Sequence, residues 1–419
     1  MQRISAFQIL HFYLRDKFDK VAKIALQCFI ISDMTSKHNI YLDYAATTPV
    51  DSRVLQTMIP YFTEDFGNPS SIHTFGQQAE NALENARETV ASVLNCRSDE
   101  VIFTSCGTES DNLALRGIAL SERERRNANR ILISPVEHHA VAHTAEQLKR
   151  HFGFEVDVLP VDQYGQVSPE DIAEYIHHDT AVVSVIYANN EIGTINPIAE
   201  IGEICKSKGI PFHTDAVQAT AYLPIDIQSL HLDSMSIGAH KFYGPKGVGV
   251  LYQRKDLRLL PNQTGGGQET GRRAGTQNIP YIVGLAEALR IISGEREANA
   301  LHIRPLRDRI VGTILEEIPE VEMTGHPNLR LPNHASFVFR AVDGNKLLMT
   351  LDIAGFACSS GSACKTGDPE PSDVLTAIGL ARDWALGSLR VTLGKDTLPA
   401  DIDRFLNVLP GIVARLRKL

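Results

Sequence analysis

One lysine of the sequence stands in a setting suited to covalent chemistry on a carbonyl group. The segment Ser236 to Gly247 reads as an apolar strand that ends in a turn of small residues, and it presents Lys241 among aromatic and glycine neighbours. Partial burial lowers the pKa of an ammonium group and frees its amine to attack a carbonyl. A solvated turn lysine is the ordinary alternative, and this segment alone favours that alternative.

A carboxylate ends another apolar strand earlier in the chain. Asp215 directly follows Pro211 to Thr214, and α/β proteins bind cofactors at the carboxyl ends of such strands. If the cofactor is pyridoxal phosphate, Asp215 would pair with the ring nitrogen and keep it protonated, which makes the ring an electron sink. Asp215 could also be a helix N-cap, and the two interpretations are compatible.

A third strand end predicts a phosphate-binding turn. The strand Val101 to Thr104 runs into a polar turn that contains Gly107 and Thr108, and a helix is predicted from Leu113 onward. Exposed amide groups of such a turn, together with the Thr108 hydroxyl, would hold a phosphate. A plain capped helix explains this segment equally well.

A histidine follows a fourth predicted strand. His138 comes shortly after Arg130 to Ser134, so its imidazole would lie at the same sheet edge, where it could stack on a cofactor ring and move protons. A lone histidine at such a place is more often structural. The joint occurrence of these four features at strand ends favours a cofactor site.

The elements that must position these side chains alternate along the chain. Short β-branched runs alternate with helical patterns, which predicts an α/β fold with a mostly parallel sheet covered by helices. The predicted strands are 101–104, 130–134, 155–159, 181–187, 210–214, 234–238 and 249–252, and the predicted helices include 71–94, 140–151, 169–177 and 198–208. We expect a large domain over 39–290 and a smaller α+β domain over 291–419, which includes a contribution from the N-terminal segment and a loop at 359–371.

Composition excludes several classes of function. The chain has 419 residues, 43% apolar side chains and a formal charge of -9, so a nucleic-acid partner is not expected. Its six cysteines lack the paired spacing of a zinc site and are too sparse for a disulfide scaffold, which predicts reduced thiols, no metal site and a cytoplasmic location. No apolar run reaches the roughly 20 residues of a membrane-spanning helix.

The first 38 residues read as an N-terminal extension. Basic residues alternate there with apolar ones, as in a transit peptide for an organelle, but Asp16 and Asp19 argue against that interpretation. Met34 is an alternative start, because the recognisable domain begins soon after it.

Five strings identify a family. They are Tyr41-Leu42-Asp43-Tyr44-Ala45-Ala46-Thr47-Thr48-Pro49, Gly67-Asn68-Pro69-Ser70-Ser71-Ile72-His73, Ala188-Asn189-Asn190-Glu191-Ile192-Gly193, Gly271-Arg272-Arg273-Ala274-Gly275-Thr276 and Ser359-Ser360-Gly361-Ser362-Ala363-Cys364. With the segments above, they make the chain from Ile40 to about Leu409 resemble the NifS/IscS-like cysteine desulfurases, in the class V aminotransferase group of fold-type I pyridoxal-phosphate enzymes. The resemblance implies a mainly parallel seven-stranded sheet in the large domain.

The resemblance also implies a role for each residue around the cofactor ring. Lys241 would form the Schiff base with pyridoxal phosphate, and Asp215 would pair with the pyridine nitrogen. Gln218 would contact the phenolic oxygen, and His138 would cover the ring face and take part in catalysis.

Further roles concern the phosphate and the substrate. Thr108 and His240 would hold the phosphate, and Thr276 would reach it from the neighbouring subunit, which implies a homodimer with shared active sites. Asn190 and Arg390 would grip the substrate carboxylate, and the planar fork of arginine suits that task.

The implied reaction converts L-cysteine to alanine and leaves the sulfur as a persulfide on Cys364. That sulfur would pass to an acceptor such as an iron–sulfur scaffold protein or a tRNA-thiolation relay. The flanking Gly, Ser, Lys and Asp residues cannot build an apolar pocket around Cys364, whereas Cys358 follows Phe356 and Ala357 and reads as structural.

Two positions depart from the family pattern, and two other functions stay open. Gly238 stands where the family usually has serine, and Thr270 stands where it usually has arginine, which predicts weaker cofactor retention or an altered partner surface. A selenocysteine lyase or a class V aminotransferase would keep Lys241 and Asp215. A non-catalytic partner in a sulfur-transfer assembly is disfavoured, because the lysine and Cys364 are both present.

Overall fold

The computed structural model describes residues 39–361 and 370–418. The predicted N-terminal extension and Cys364 lie outside these residues. The strands are β1 (Ile40–Tyr41), β2 (Val101–Thr104), β3 (Arg130–Ile133), β4 (Glu155–Val158), β5 (Thr180–Ser184), β6 (Phe212–Asp215), β7 (Ser234–Gly238), β8 (Gly249–Gln253), β9 (Val321–Met323), β10 (His334–Phe339), β11 (Phe356–Ala357) and β12 (Ser388–Thr392).

The helices lie between these strands, except for the last one, which follows β12. They are α1 (Ser52–Met58), α2 (Pro60–Thr63), α3 (Thr74–Leu94), α4 (Gly107–Arg126), α5 (His139–Phe152), α6 (Pro169–Tyr175), α7 (Ile198–Lys208), α8 (Ile279–Glu317), α9 (Gly344–Ile353), α10 (Asp373–Ala377), α11 (Arg382–Ala385) and α12 (Pro399–Leu416). Within the part of the chain that the structure describes, no helix combines the length and the apolarity that a bilayer crossing requires.

Seven strands form the main sheet, in the order β2-β8-β7-β6-β5-β3-β4. Strand β8 is antiparallel to both of its neighbours, and the other pairs are parallel. Val101 and Phe103 of β2 pack in one apolar cluster while Ile102 packs in another, so both faces of the sheet are covered. This arrangement confirms the predicted α/β fold and explains the continuous apolar runs of the strands.

Helix α4 begins earlier than predicted. The sequence favours a start at Leu113, but the helix begins at Gly107, after the extended residue Cys106. Glu109 lies in the first turn and accepts a hydrogen bond from the Ser105 amide, at 2.6 Å. A carboxylate in the first turn is stabilised by the unpaired amides there, which explains why a polar run that reads as a turn is helical.

Smaller sheets combine the two ends of the described chain. Strand β10 pairs antiparallel with β9 and β12, and β1 pairs parallel with β11. The Thr392 amide donates to the Leu42 carbonyl, at 2.8 Å, so residues near the start of the domain lie beside β12. The proposed domain boundary at residue 290 stays a prediction, and α8 runs across that position.

Candidate active site

A cavity of about 270 Å³ opens at the carboxyl edge of the main sheet. Strands β6 and β7 and the helices α4 and α5 bring predicted site residues to it, and β12 contributes from the smaller sheet. The lining residues are Ala45, Ala46, Cys106, Gly107, Thr108, Asp111, His138, Ile186, Asn190, Asp215, Val217, Gln218, His240, Lys241 and Arg390. Nine of the eleven residues predicted to act in the site therefore meet here; Thr276 and Cys364 are the other two.

Lys241 follows β7 in a short 3₁₀ turn, and two backbone carbonyls hold its amine. The Nζ atom donates to the carbonyls of Ala45 and Ala46, each at 2.7 Å. Burial, and then the positive charge of Arg390, lower the pKa of Lys241 to about 8. A partly neutral amine in a fixed position is what nucleophilic or base chemistry requires.

Asp215 ends β6 and is buried beside Lys241. Its Oδ1 accepts a hydrogen bond from the Val217 amide, at 2.9 Å. Burial raises the pKa of Asp215, and the nearby His138 and Lys241 oppose that shift. The carboxylate is therefore held in a low-dielectric place where a cationic partner would stabilise its charged form.

A second carboxylate, Asp111, lines the cavity, where it was not predicted from the sequence. It lies in the second turn of α4, four residues after Gly107, and is only 1% exposed. Ligand atoms of Asp111, His138 and Asp215 lie within 4.8 Å of one another. The i, i+4 spacing from Gly107 is the signal that could have placed it on the cavity side of the helix.

The first turn of α4 forms one end of the cavity. A Cβ atom at Gly107 would lie 2.6 Å from Cγ2 of Val217, so only glycine fits without a shift. Gly107 and the exposed Thr108 line the cavity, so the amides of this turn and the Thr108 hydroxyl would stabilise an anion bound there. His240 lies nearby with Nδ1 3.2 Å from the Thr47 hydroxyl, and burial lowers the pKa of His240 to about 4.

Hydrogen bonds to the backbone hold the side chains of His138 and Gln218 at the cavity wall. His138 is the N-cap of α5, where its Nδ1 accepts a hydrogen bond from the Ala140 amide, at 3.1 Å. This bond fixes the imidazole plane, and burial lowers its pKa. Gln218 donates from Nε2 to the Ala45 carbonyl, at 2.8 Å, which ties the residue to the same segment that holds Lys241.

Arg390 enters the cavity from β12 and is held on two sides. Its Nη1 donates to the Asn190 carbonyl at 2.9 Å, and its Nη2 donates to Oδ1 of Asp43 at 2.8 Å. Nε has no hydrogen-bond partner among the described residues. The sequence interpretation quoted Asp43 within a family string but gave it no role; the structure shows that it neutralises Arg390.

Thr276 does not line the cavity of its own chain. It is exposed, and its segment is anchored by two ion pairs. Arg87 binds both carboxylate oxygens of the buried Glu269, at 2.8 and 3.0 Å, and Arg273 binds Glu109 beside Thr108. Glu269 and Thr270 both have positive φ angles, 47° and 56°, so the departure at Thr270 places a β-branched residue in a strained conformation.

Comparisons with known proteins agree with this architecture. The family model described as aminotransferase class-V matches residues 40–405. The cysteine desulfurase IscS of Methanosarcina thermophila is 46% identical over 385 residues, which cover 92% of this chain and 94% of the relative. Two solved structures are also similar to this chain. A NifS-like protein is 38% identical, with a TM-score of 0.84, and the match covers 90% of this chain and all of that one. SspA in complex with cysteine is 33% identical, with a TM-score of 0.74, and the match covers 86% of this chain and all of that one.

These matches confirm the fold and the enzyme class predicted from the sequence. Identity of this size over nearly the whole length of both chains leaves no large part unmatched. The chain belongs to the class-V aminotransferase family and, within it, to the cysteine desulfurases.

Proposed function

We propose that the chain is a pyridoxal-phosphate-dependent enzyme that converts L-cysteine to L-alanine and transfers the sulfur to Cys364. The observation that carries this proposal is that Lys241, Asp215 and Arg390 line one cavity at the carboxyl edge of the main sheet. The solved structure of SspA holds cysteine, which supports cysteine as the substrate class.

The donor set fits pyridoxal phosphate. The cavity offers an amine for its aldehyde, a buried carboxylate for its ring nitrogen, an imidazole for its ring face and an amide-rich turn for its phosphate. Lys241, Asp215, His138 and Thr108 would hold these four parts, with Gln218 at the phenolic oxygen and His240 near the phosphate. The bound cofactor would supply the electron sink that weakens bonds at the substrate Cα.

Lys241 would then act as the base. The carbonyls of Ala45 and Ala46, which accept hydrogen bonds from Nζ, would hold it as a free amine while substrate is bound. The lowered pKa keeps a substantial neutral fraction near pH 8, so Nζ can accept the Cα proton of the substrate and return a proton later.

Arg390 and Asn190 would bind the substrate carboxylate. The Arg390 side chain is fixed by Asp43 and by the Asn190 backbone, and its unpartnered Nε is a remaining donor. A preorganised guanidinium loses little freedom when it binds a carboxylate, so it fixes the substrate orientation.

The sulfur step would use the thiolate of Cys364. The Cys364 sulfur attacks the substrate sulfur, and the Cβ–S bond of the substrate breaks. The electron pair of that bond stays on Cβ until Cβ is protonated on the way to alanine. The product on the enzyme is a persulfide. The neighbouring Cys358 is a poor rival, because burial raises the pKa of its thiol far above the usual range and keeps it protonated.

A homodimer is part of the proposal. Ile72 is 93% exposed and Phe66 is 63% exposed, and Phe62 and Phe75 lie exposed in the same stretch. Apolar side chains grouped in this way favour coverage by a second copy, which would also bring Thr276 to the partner's phosphate site. We propose a cytoplasmic location and a sulfur-acceptor protein such as an iron–sulfur scaffold.

Alanine release from L-cysteine under reducing conditions tests the proposal. Wild-type protein and Cys364→Ser are compared at equal pyridoxal-phosphate content, with Cys358→Ser as the matched control. We expect alanine from wild type and from Cys358→Ser, and none from Cys364→Ser. Equal rates in all three proteins would favour a lyase, and no alanine from loaded wild type would favour an aminotransferase.

A further inference from the structure

A row of buried polar groups lies behind the candidate active site. Ser184 of β5 contacts Nδ1 of His213 at 2.9 Å, and Nε2 of His213 contacts the Ser236 hydroxyl of β7 at 3.0 Å. Oδ1 of Asp111 lies 3.7 Å from the same Nε2 atom of His213. The row therefore ends at a carboxylate that lines the cavity.

Asp111 is left without a compensating charge. Its Oδ1 has no hydrogen-bond partner among the described residues, although the side chain is 1% exposed. His213 cannot neutralise it, because burial lowers the pKa of that imidazole to about 3. Burial and the adjacent Asp215 both raise the pKa of Asp111. A buried carboxylate without a compensating charge is costly when it is ionised, so a cation bound nearby would stabilise its charged form.

The two carboxylates face the same part of the cavity. Asp215 has one backbone donor for its Oδ1, from Val217, and no cationic side chain in hydrogen-bond contact within the described chain. Lys241 directs its amine to two carbonyls instead, and burial lowers the pKa of His138, which disfavours its cationic form. A ligand with a positive charge at this depth would therefore interact with both carboxylates, one directly and one through space.

We propose that Asp111 is a positioning residue for the cofactor: together with Asp215 it forms a two-carboxylate recess that selects a ring with a protonated nitrogen. The inference rests on the proposed function and goes beyond it, because it assigns a second negative charge to the selection of the cofactor. Asp215 would accept the hydrogen bond of the ring N–H. The cationic ring would favour the ionised form of Asp111, whose charge would in turn help to keep the ring nitrogen protonated.

Asp111→Asn tests the proposal, because asparagine keeps the shape of the side chain but cannot ionise. The full-length protein, freed of cofactor, is titrated with pyridoxal phosphate and with the analogue that carries C–H in place of the ring nitrogen. We expect the preference of wild type for pyridoxal phosphate over the analogue to fall about tenfold in Asp111→Asn. The same preference in both proteins would overturn the proposal.

The stability of the cofactor-free protein gives a second measurement. Because the raised pKa of Asp111 makes its ionisation costly in the folded chain, we expect the denaturant midpoint of Asp111→Asn to equal or exceed that of wild type at alkaline pH. Ser184→Ala is the matched control, since it disturbs the same row without a change of charge; we expect a lower midpoint and an unchanged nitrogen preference. A lowered midpoint in Asp111→Asn with an unchanged preference would show a purely structural residue and overturn the proposal.

Failure of the proposed function would be distinguishable from failure of this inference. Alanine release from L-cysteine is measured on the same wild-type preparation. A normal nitrogen preference without alanine release would contradict the proposed reaction alone, and alanine release without an effect of Asp111→Asn would contradict the role of Asp111 alone.

Discussion

The two walls of the cavity differ in whether their buried charged side chains have partners of opposite charge. On the wall built by the main sheet, Asp111 and Asp215 are buried without a cationic side chain in contact, among the described residues. On the wall built by β12, Arg390 is paired with Asp43 at 2.8 Å. The first wall is incomplete without a cationic ligand, whereas the second is already neutral and rigid.

This difference matches the two tasks that we propose. A cofactor that stays bound through many turnovers can compensate buried negative charges permanently. The wall that binds it can therefore contain carboxylates that lack a partner when the cofactor is absent. A substrate that enters and leaves in each turnover needs a site that keeps its geometry in between, which the Asp43–Arg390 pair provides. Stability measurements on cofactor-free protein should therefore distinguish the two walls by the sign of the effect when a negative charge is removed from each.

Replacement of Lys241 by alanine should have the largest effect of any change to the cofactor wall. The substitution removes the amine that is proposed as nucleophile and base, so we expect kcat/KM for alanine release to fall by at least about a thousandfold. Steady-state rates at saturating pyridoxal phosphate measure it. A variant that keeps a tenth of the wild-type rate would remove Lys241 from the chemistry.

The pH dependence of stability should also reveal Lys241 in the cofactor-free protein. Its pKa is about 8 in the folded chain against 10.5 for the free side chain. Between these values the unfolded chain binds more protons, so the free energy of unfolding should rise with pH. Below pH 8 the charged amine is buried at a cost, and above pH 10.5 the cost is gone.

Lys241→Met is the matched control for this titration, because it keeps the length of the side chain. We expect wild type to gain about 2–3 kcal/mol relative to Lys241→Met from pH 8 to pH 10.5. Denaturant unfolding at a series of pH values measures the difference. A difference that stays constant over this range would show that the lysine is not buried as the structure has it.

Asp43→Asn should separate the two walls by the sign of its effect. The substitution leaves the buried guanidinium of Arg390 without its charge partner, and we expect a loss of about 1–3 kcal/mol in the free energy of unfolding. The same chemical change at Asp111 is expected to leave stability equal or higher. Unfolding of the two cofactor-free variants side by side checks this; destabilisation by both to the same extent would end the distinction between the walls.

The sequence predicted which side chains meet on the main-sheet wall, but it did not predict the ion pair on the β12 wall. Lys241, Asp215, Thr108 and His138 each follow a strand, and carboxyl ends of parallel strands meet at one edge, so their proximity could be predicted. The Asp43–Arg390 pair joins residues 347 positions apart. No local pattern encodes such a contact, since it depends on how β12 packs beside the start of the domain.

The sequence also did not indicate whether the buried carboxylate of Asp111 has a partner of opposite charge. Whether Asp111 has a partner depends on which side chains surround it, and its own segment reads as a polar turn before a helix. The predicted helix start at Leu113 was wrong for the same reason. Polar residues in a first turn resemble a loop in the sequence, and the bond from the Ser105 amide to Glu109 that closes the helix start is visible only in the structure.

Gly238→Ser should have the smallest effect and refine the description of the cofactor wall. The backbone of Gly238 is extended, with φ at −135° and ψ at 122°, and a Cβ atom there would lie 3.4 Å from the Gly107 amide nitrogen, an ordinary contact. Serine therefore fits, and its hydroxyl would lie beside the turn proposed to hold the phosphate. One added hydrogen bond to a charged group predicts about a tenfold gain in affinity for pyridoxal phosphate. Gly238→Ala fills the same space without a hydroxyl, so equal affinities of the two variants in a cofactor titration would show that the missing serine contributes nothing to retention.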